Sequence, residues 1–190
     1  LSFCRDSKLI ISYNTGKRNH ESTHEHLDDL KGRIGNRIQL STDNFKCYRG
    51  KLGAVNRIFG REGVDYGMLS KKYARSIFPD RRYSPPVCIL ALKIPILGNP
   101  DKDLICTSHV ERQNLNLRIF NRRFTRLTLG YSKKLSNLRH SVALFTCYWN
   151  FCWRHSTTKQ SPAQACGLTD HVWTVQELIN AISKPEPCTI

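Results

Sequence analysis

The hydrophobic period of the chain changes near Val110, and that change limits the folds open to it. Before that point, short apolar runs alternate with helical patterns; after it, only helical patterns remain. Lys8–Gly16 (KLIISYNTG) is apolar and β-branched, ends in Asn and Gly, and predicts a strand. THEHLDDLKGRIG follows as a short helix. Arg37–Asp43 (RIQLSTD) alternates Ile38, Leu40 and Thr42 with polar residues and predicts a strand that ends on an aspartate. NFKCYRGKLGAVNRIFG predicts a short helix closing at Gly60. VDYGML and the basic run SKKYARSIFPDRR carry no decisive period. PPVCILALKIPIL reads as one arm of an extended hairpin that turns at GNPDKD and returns through LICTS.

Beyond Val110, VERQNLNLRIFNRRFTRLTL places Leu117, Phe120, Phe124 and Leu127 at helical steps, with Arg118, Arg122 and Arg126 four apart on another face. Gly130 interrupts. KKLSNLRHSVALFTCYWNFCWRH predicts a second helix with Leu135, Leu138, Val142, Phe145, Trp149 and Cys152 on one stripe, expected to be core. Ser161-Pro162 and the pair Thr174…Glu177 are helix-start signals. This order of elements predicts an α/β or α+β domain with a mixed sheet flanked by helices.

Charge narrows the partners. Thirty Lys and Arg against fifteen Asp and Glu give a formal charge of +15. So large a charge opposes compaction unless a polyanion offsets it, which favours nucleic acid. No apolar run approaches the roughly 18 residues of a membrane span, and LSFCRDSKLI lacks the apolar core of a secretory signal. The eight cysteines are scattered singly with no C-x-x-C pair, so free buried thiols in a reducing compartment are expected.

His20-Glu21-Ser22-Thr23-His24 matches H-E-x-x-H, in which two histidines one helical turn apart hold zinc and a glutamate acts as base. Ser22…Glu25, however, is itself an S-x-x-E capping box. It predicts a helix starting at Ser22, with His20 and Glu21 left in the preceding loop. A solvated helix start is therefore preferred to a zinc peptidase. Asp43, at a strand end, and Glu111, near a helix start, suit different chemistry: such carboxylates can hold paired Mg²⁺ ions for phosphodiester hydrolysis.

STDNFKCY, TSHVERQNLNLRIFNRRFTRLTLGYSKKL, YWNFCWRH, SPAQACGLTDHVW and RDSKLIISYNTGKR together resemble the catalytic part of bacterial insertion-sequence transposases of the insertion sequence one type, which are DDE recombinases. The resemblance runs from Phe3 to about Leu178. It implies a ribonuclease-H-like domain over residues 1–155, shortened at its N-terminus, and a helical extension over 156–190. It also implies DNA cleavage and strand transfer with two Mg²⁺ or Mn²⁺ ions, DNA ends and target as partners, homo-oligomers on DNA, no membrane, and a cytoplasmic, nucleoid-associated location. Asp43 falls on the aspartate of the family's T-D-G-x-x-x-Y motif, with Asn44 in place of the glycine as a residue tolerant of positive φ, and Tyr48 on the tyrosine. Glu111 falls on the glutamate of S-x-V-E-R-x-N. Arg112, Gln113 and Asn114 match motif positions; Arg112, Asn114, Arg118, Arg122 and Arg126 are the expected DNA contacts. The family's first catalytic aspartate aligns with Cys4, and the nearest carboxylate, Asp6, lies two residues along the expected strand. Two readings follow, an active transposase domain and a DNA-binding remnant.

Overall fold

The computed structural model describes residues 1–49, 53–74 and 86–183. It is a mixed α/β structure with a small mixed sheet flanked by helices. The chain divides into two compact units, one of residues 16–108 and one that joins 1–15 to 109–190. The part of SKKYARSIFPDRR from residue 75 onward, and Cys188, lie outside the described residues.

In the unit of residues 16–108, α1 (His20–Gly32) precedes β3 (Ile38–Asp43), α2 (Ala54–Gly63), β4 (Val64–Tyr73) and β5 (Cys88–Leu97). The strand β3 pairs in parallel with β4 from Ile38↔Val64 to Asp43↔Leu69, and α2 forms the crossover between them. Parallel neighbours need such a crossover, and its helix covers the sheet. Along β4, the residues Val64, Tyr66, Gly67, Met68 and Leu69 are buried, as befits a central strand. Leu27 and Leu30 of α1 and Ala54, Val55 and Ile58 of α2 complete this core. The regular conformation of α2 breaks at Gly60, whose φ of 66° favours glycine, so the expected stop at that residue is met. The helix itself starts only at Ala54, and a turn occupies Lys46–Tyr48 instead.

The expected hairpin between PPVCILALKIPIL and LICTS does not form. β5 pairs antiparallel with β4, and Leu104–Ser108 carries turns and the start of a helix. The competing partner was hidden because VDYGML carries Asp65 and Gly67, both poor strand formers. Each has a specific reason to be there. Asp65 receives two hydrogen bonds from Arg37, at 2.6 and 2.8 Å, and one from the Asn99 amide at 2.7 Å, which hold its carboxyl down at about 2. At Gly67 any Cβ would collide with the Ile105 side chain, which lies on the strand.

In the other unit, β1 (Ser2–Phe3) and β2 (Ile10–Ser12) form a two-stranded antiparallel hairpin, shorter than the strand expected over Lys8–Gly16. Lys8 closes its turn at φ 67°. The helices are α3 (Ser108–Phe120), α4 (Leu135–Cys147), α5 (Pro162–Ala165) and α6 (Val175–Ser183). α4 continues into a π-helical segment, Tyr148–Cys152, closed by the Trp153 amide on the Tyr148 carbonyl at 2.9 Å. The expected core stripe is buried at Val142 and Trp149 but leaves Leu135 half-exposed. Both late helix starts form as expected. Ser161 Oγ accepts from the Gln164 amide at 3.2 Å. Thr174 and Glu177 cap each other reciprocally, the Thr174 amide donating to Glu177 Oε2 at 2.6 Å and the Glu177 amide to Thr174 Oγ1 at 3.2 Å.

The cysteines among the described residues are free, but only Cys47 is buried; Cys88 and Cys166 are exposed. The expectation of burial fails where the apolar neighbours are themselves exposed, as Val87 and Ile89 are beside Cys88 and Leu168 is near Cys166. No described helix is long and apolar enough to cross a membrane.

Candidate functional site

Asp43 is the last residue of β3, so its carboxylate lies at the carboxyl end of a parallel strand pair, where open α/β sheets place ligands. It is exposed, and Arg18 Nη2 approaches its Oδ2 to 3.2 Å. The Arg18 guanidinium also sits 4.3 Å above the centre of the Phe45 ring. Tyr48 packs edge-on against Phe45; burial raises its hydroxyl pKa, and the charge of Asp43 adds to the effect. Beneath Asp43, the Thr42 and Tyr66 hydroxyls share a 2.7 Å hydrogen bond. Asn44 does not use the positive φ for which it was suited. Its amide instead donates to Ser70 Oγ at 3.2 Å and accepts from Arg49 at 3.0 Å, tying the strand end to β4.

The carboxylate oxygens of Asp43 are the hard donors that Mg²⁺ prefers, and an exposed ion pair with Arg18 contributes only about 0–1 kcal/mol, too little to bar a cation. Among the described residues, however, no three His, Cys, Asp or Glu side chains gather into a metal-binding group. Asp43 therefore fits Mg²⁺ in kind, without a complete ligand set around it.

Glu111 lies in the first turn of α3, exposed, where its charge also complements the helix N-terminus. Asp6 is not on a strand. It lies in the turn between β1 and β2, its side chain 83% exposed and paired with Arg5 at 3.2 Å. Cys4 follows directly on β1. The expected arginine face of a long helix is also corrected. α3 stops at Phe120, and Asn121 caps a separate 3₁₀ turn, Arg122–Phe124, by accepting from the Arg123 amide at 3.2 Å. Arg118 stays on α3, Arg122 belongs to the 3₁₀ turn, and Arg126 lies beyond it. Asparagine ended the helix where the apolar spacing suggested continuity.

A different set of residues lines a cavity of about 450 Å³ in the unit of residues 1–15 and 109–190. α3 contributes His109, Arg112, Gln113, Asn116 and Phe120, spaced i, i+3, i+4, i+7 and i+11, so they share one helical face. Opposite them are Lys8, Trp149, Trp153 and Arg154. The two indoles stack 5.8 Å apart at 12°, and Trp153 meets Phe120 at 5.1 Å. Burial, with the charge of Lys8 adding, lowers the pKa of both His109 and His155. Of the expected DNA contacts, this cavity takes up Arg112 alone. The sequence did carry the signal: a polar stripe at helical spacing on α3, overlooked beside the apolar one.

The HESTH segment also departs from expectation. Asn19, not Ser22, caps α1, its Oδ1 accepting from the Ser22 amide at 3.0 Å, so His20 and His24 do lie one turn apart on a helix. Asparagine in extended conformation is as good a cap as serine and stands earlier in the chain. The missing element is a third ligand, since no described residues form a three-member metal group. Compared with protein-family models, curated proteins and solved structures, the chain matches none.

Proposed function

We propose that the chain acts on DNA as the catalytic-type domain of a DDE transposase with a ribonuclease-H-like ancestry, in a cytoplasmic, nucleoid-associated setting and as a homo-oligomer on DNA. The observation that carries this reading is the placement of Asp43, an exposed carboxylate at the carboxyl end of a strand in parallel pairing. The net charge of +15 and the motif blocks around Asp43 and Glu111 support it. On this reading Asp43 and Glu111 are the ligands of Mg²⁺ or Mn²⁺, which when bound would activate a water or hydroxyl toward the phosphodiester. The chain's own cationic side chains would hold the DNA backbone, and such contacts weaken with salt.

A second reading, DNA binding without cleavage, is favoured by the position of Asp6 in an exposed turn instead of a strand end. One experiment separates the two. Binding of duplex DNA is measured first, then cleavage of that DNA with Mn²⁺ for the native chain and for Asp43→Asn and Glu111→Gln. Cleavage abolished in both variants supports the transposase reading. Binding with no cleavage in any of them supports the second, and no binding at all rejects both.

A further inference from the structure

The cavity beside α3 combines three features that act together on one kind of ligand. Its volume of about 450 Å³ lies in the range of sites that enclose a small molecule, about 300–1,000 Å³. Its wall carries flat apolar surface from Trp149, Trp153 and Phe120, the two indoles stacked on each other. Three cations, Lys8, Arg112 and Arg154, surround that surface. The fourth observation is a defect. Gln113 is 1% exposed, and its Oε1 accepts from Asn116 at 3.1 Å, yet its Nε2 has no hydrogen-bond partner. A buried donor left unpaired costs about 1–3 kcal/mol, and native structures contain few.

Phosphate alone would use the cations and leave the aromatic wall idle. An apolar ligand would leave three cations and a donor idle. An unpaired nucleotide uses all of them: its base stacks on an aromatic ring, its phosphates meet the cations, and a base carbonyl or ring nitrogen offers the acceptor that Gln113 lacks. A paired base cannot present its π-face to Trp153, so the strand must be single or locally opened.

We propose that this cavity binds one unpaired nucleotide of a single DNA strand, with Trp153 as the stacking platform, Lys8 and Arg154 on the flanking phosphates, and Gln113 as the hydrogen-bond donor to the base. Asn116 donates to Gln113 Oε1 at 3.1 Å, so that oxygen stays paired and Nε2 is the atom left for the base. The choice of DNA as the polymer rests on the function proposed above; the stacking site itself rests on the cavity.

The test is fluorescence anisotropy of a labelled eight-residue oligothymidylate, beside a labelled duplex of mixed sequence and a competition with thymidine monophosphate. Trp153→Ala is expected to weaken the single strand about tenfold or more, Trp153→Phe to restore most of that loss, and neither to change duplex binding. Lys8→Ala and Arg154→Ala are each expected to lower the salt slope by about one. Thermal melting monitors folding in each variant. Single-strand binding that is indifferent to Trp153, Lys8 and Arg154 overturns the inference while leaving the DNA reading intact. Competition by the mononucleotide at an affinity equal to the strand's also overturns it, since the site would then take a free nucleotide. Failure of both strand and duplex to bind removes the inference together with the function proposed above.

Discussion

The side chain of Asn150 pairs with both backbone groups of Ile10. Its Oδ1 accepts from the Ile10 amide at 3.0 Å, and its Nδ2 donates to the Ile10 carbonyl at 2.9 Å. One side chain thus does for β2 what a neighbouring strand would otherwise do. The π-helical segment makes this possible, because an i→i+5 turn shifts the side-chain phase and brings consecutive residues to the hairpin. Trp149 uses the same shift, donating from Nε1 to the Lys8 carbonyl at 3.0 Å.

Asn150→Ala leaves two buried backbone groups without partners and is expected to lower stability by about 2–4 kcal/mol. Asn150→Asp keeps the acceptor but loses the donor, and buries a charge; it is expected to be at least as damaging. Urea denaturation followed by tryptophan fluorescence measures both. A loss below about 0.5 kcal/mol would show that the hairpin is held elsewhere.

Arg18→Ala separates two consequences of one contact. The Arg18–Asp43 pair is exposed on both sides, so its removal is expected to change stability by less than about 1 kcal/mol. If Asp43 is a metal ligand, removing the competing guanidinium also tightens Mn²⁺ binding. Calorimetric titration of the variant against the native chain reads the second effect, and unchanged or weaker binding would contradict the role given to Asp43.

His26 on α1 is buried, and burial lowers its pKa from 6.5 to about 4. A depressed folded value means that the unfolded chain takes up the proton first. The stability linked to neutral His26 is therefore complete above pH 6.5 and is lost as pH falls through about 4. A shift of that size corresponds to about 3–4 kcal/mol. Stability measured from pH 7.5 to pH 4 is expected to fall, and His26→Gln to flatten that slope. Parallel slopes in the two proteins would exclude His26 as the source.

At the start of α6 the signs are opposed. His171 lies 2.6 Å from Asp170 and 3.0 Å from Glu177, and hydrogen bonding to these carboxylates raises its pKa above 6.5. Glu177 is lowered from 4.5 to about 2, chiefly by its hydrogen bond from the Thr174 amide. The histidine contribution is complete below pH 6.5 and is lost as pH rises through the folded value; the glutamate contribution is complete above 4.5 and is lost as pH falls through about 2. The helix start is thus best held between about pH 4.5 and 6.5. Protection factors of the Val175–Leu178 amides, with the intrinsic pH dependence of exchange divided out, are expected to be highest in that window, and Thr174→Ala to lower them throughout.

Gly67→Ala is expected to lower stability by about 1–3 kcal/mol through overpacking against Ile105, and a second change, Ile105→Ala, to recover part of the loss. Thermal melts of the single and double variants test this. Additive losses would show that the two side chains do not meet.

Local signals carried well from sequence to structure wherever they concerned a few adjacent residues. The strand ending at Asp43, the helix break at Gly60 and the Thr174–Glu177 cap are set by alternation, by a left-handed φ and by a reciprocal hydrogen bond. What sequence hid depends on distant partners. β4 has a glycine at its centre because Ile105 occupies the space of a side chain, and an aspartate near its start because Arg37 binds it. The cavity escaped for a related reason. His109, Arg112, Gln113 and Asn116 form a polar helical stripe, but it became a site only where the π-helical segment set Trp149 and Trp153 nearby. On α3, Asn121 ended a helix that apolar spacing alone would have prolonged, and the arginine face disappeared with it.

The bond between Ile10 and Asn150 spans 140 positions. A ribosome adding about 5–20 residues per second needs roughly 7–28 s to deliver the asparagine after the isoleucine. Throughout that interval the nascent chain carries an apolar hairpin arm without its partner. Residues 16–108, a separate compact unit, are made within the same interval, before Asn150 is reached. Order of synthesis and order of assembly therefore differ for these two segments: the hairpin arm, made before Asn150, must wait for it to find its place.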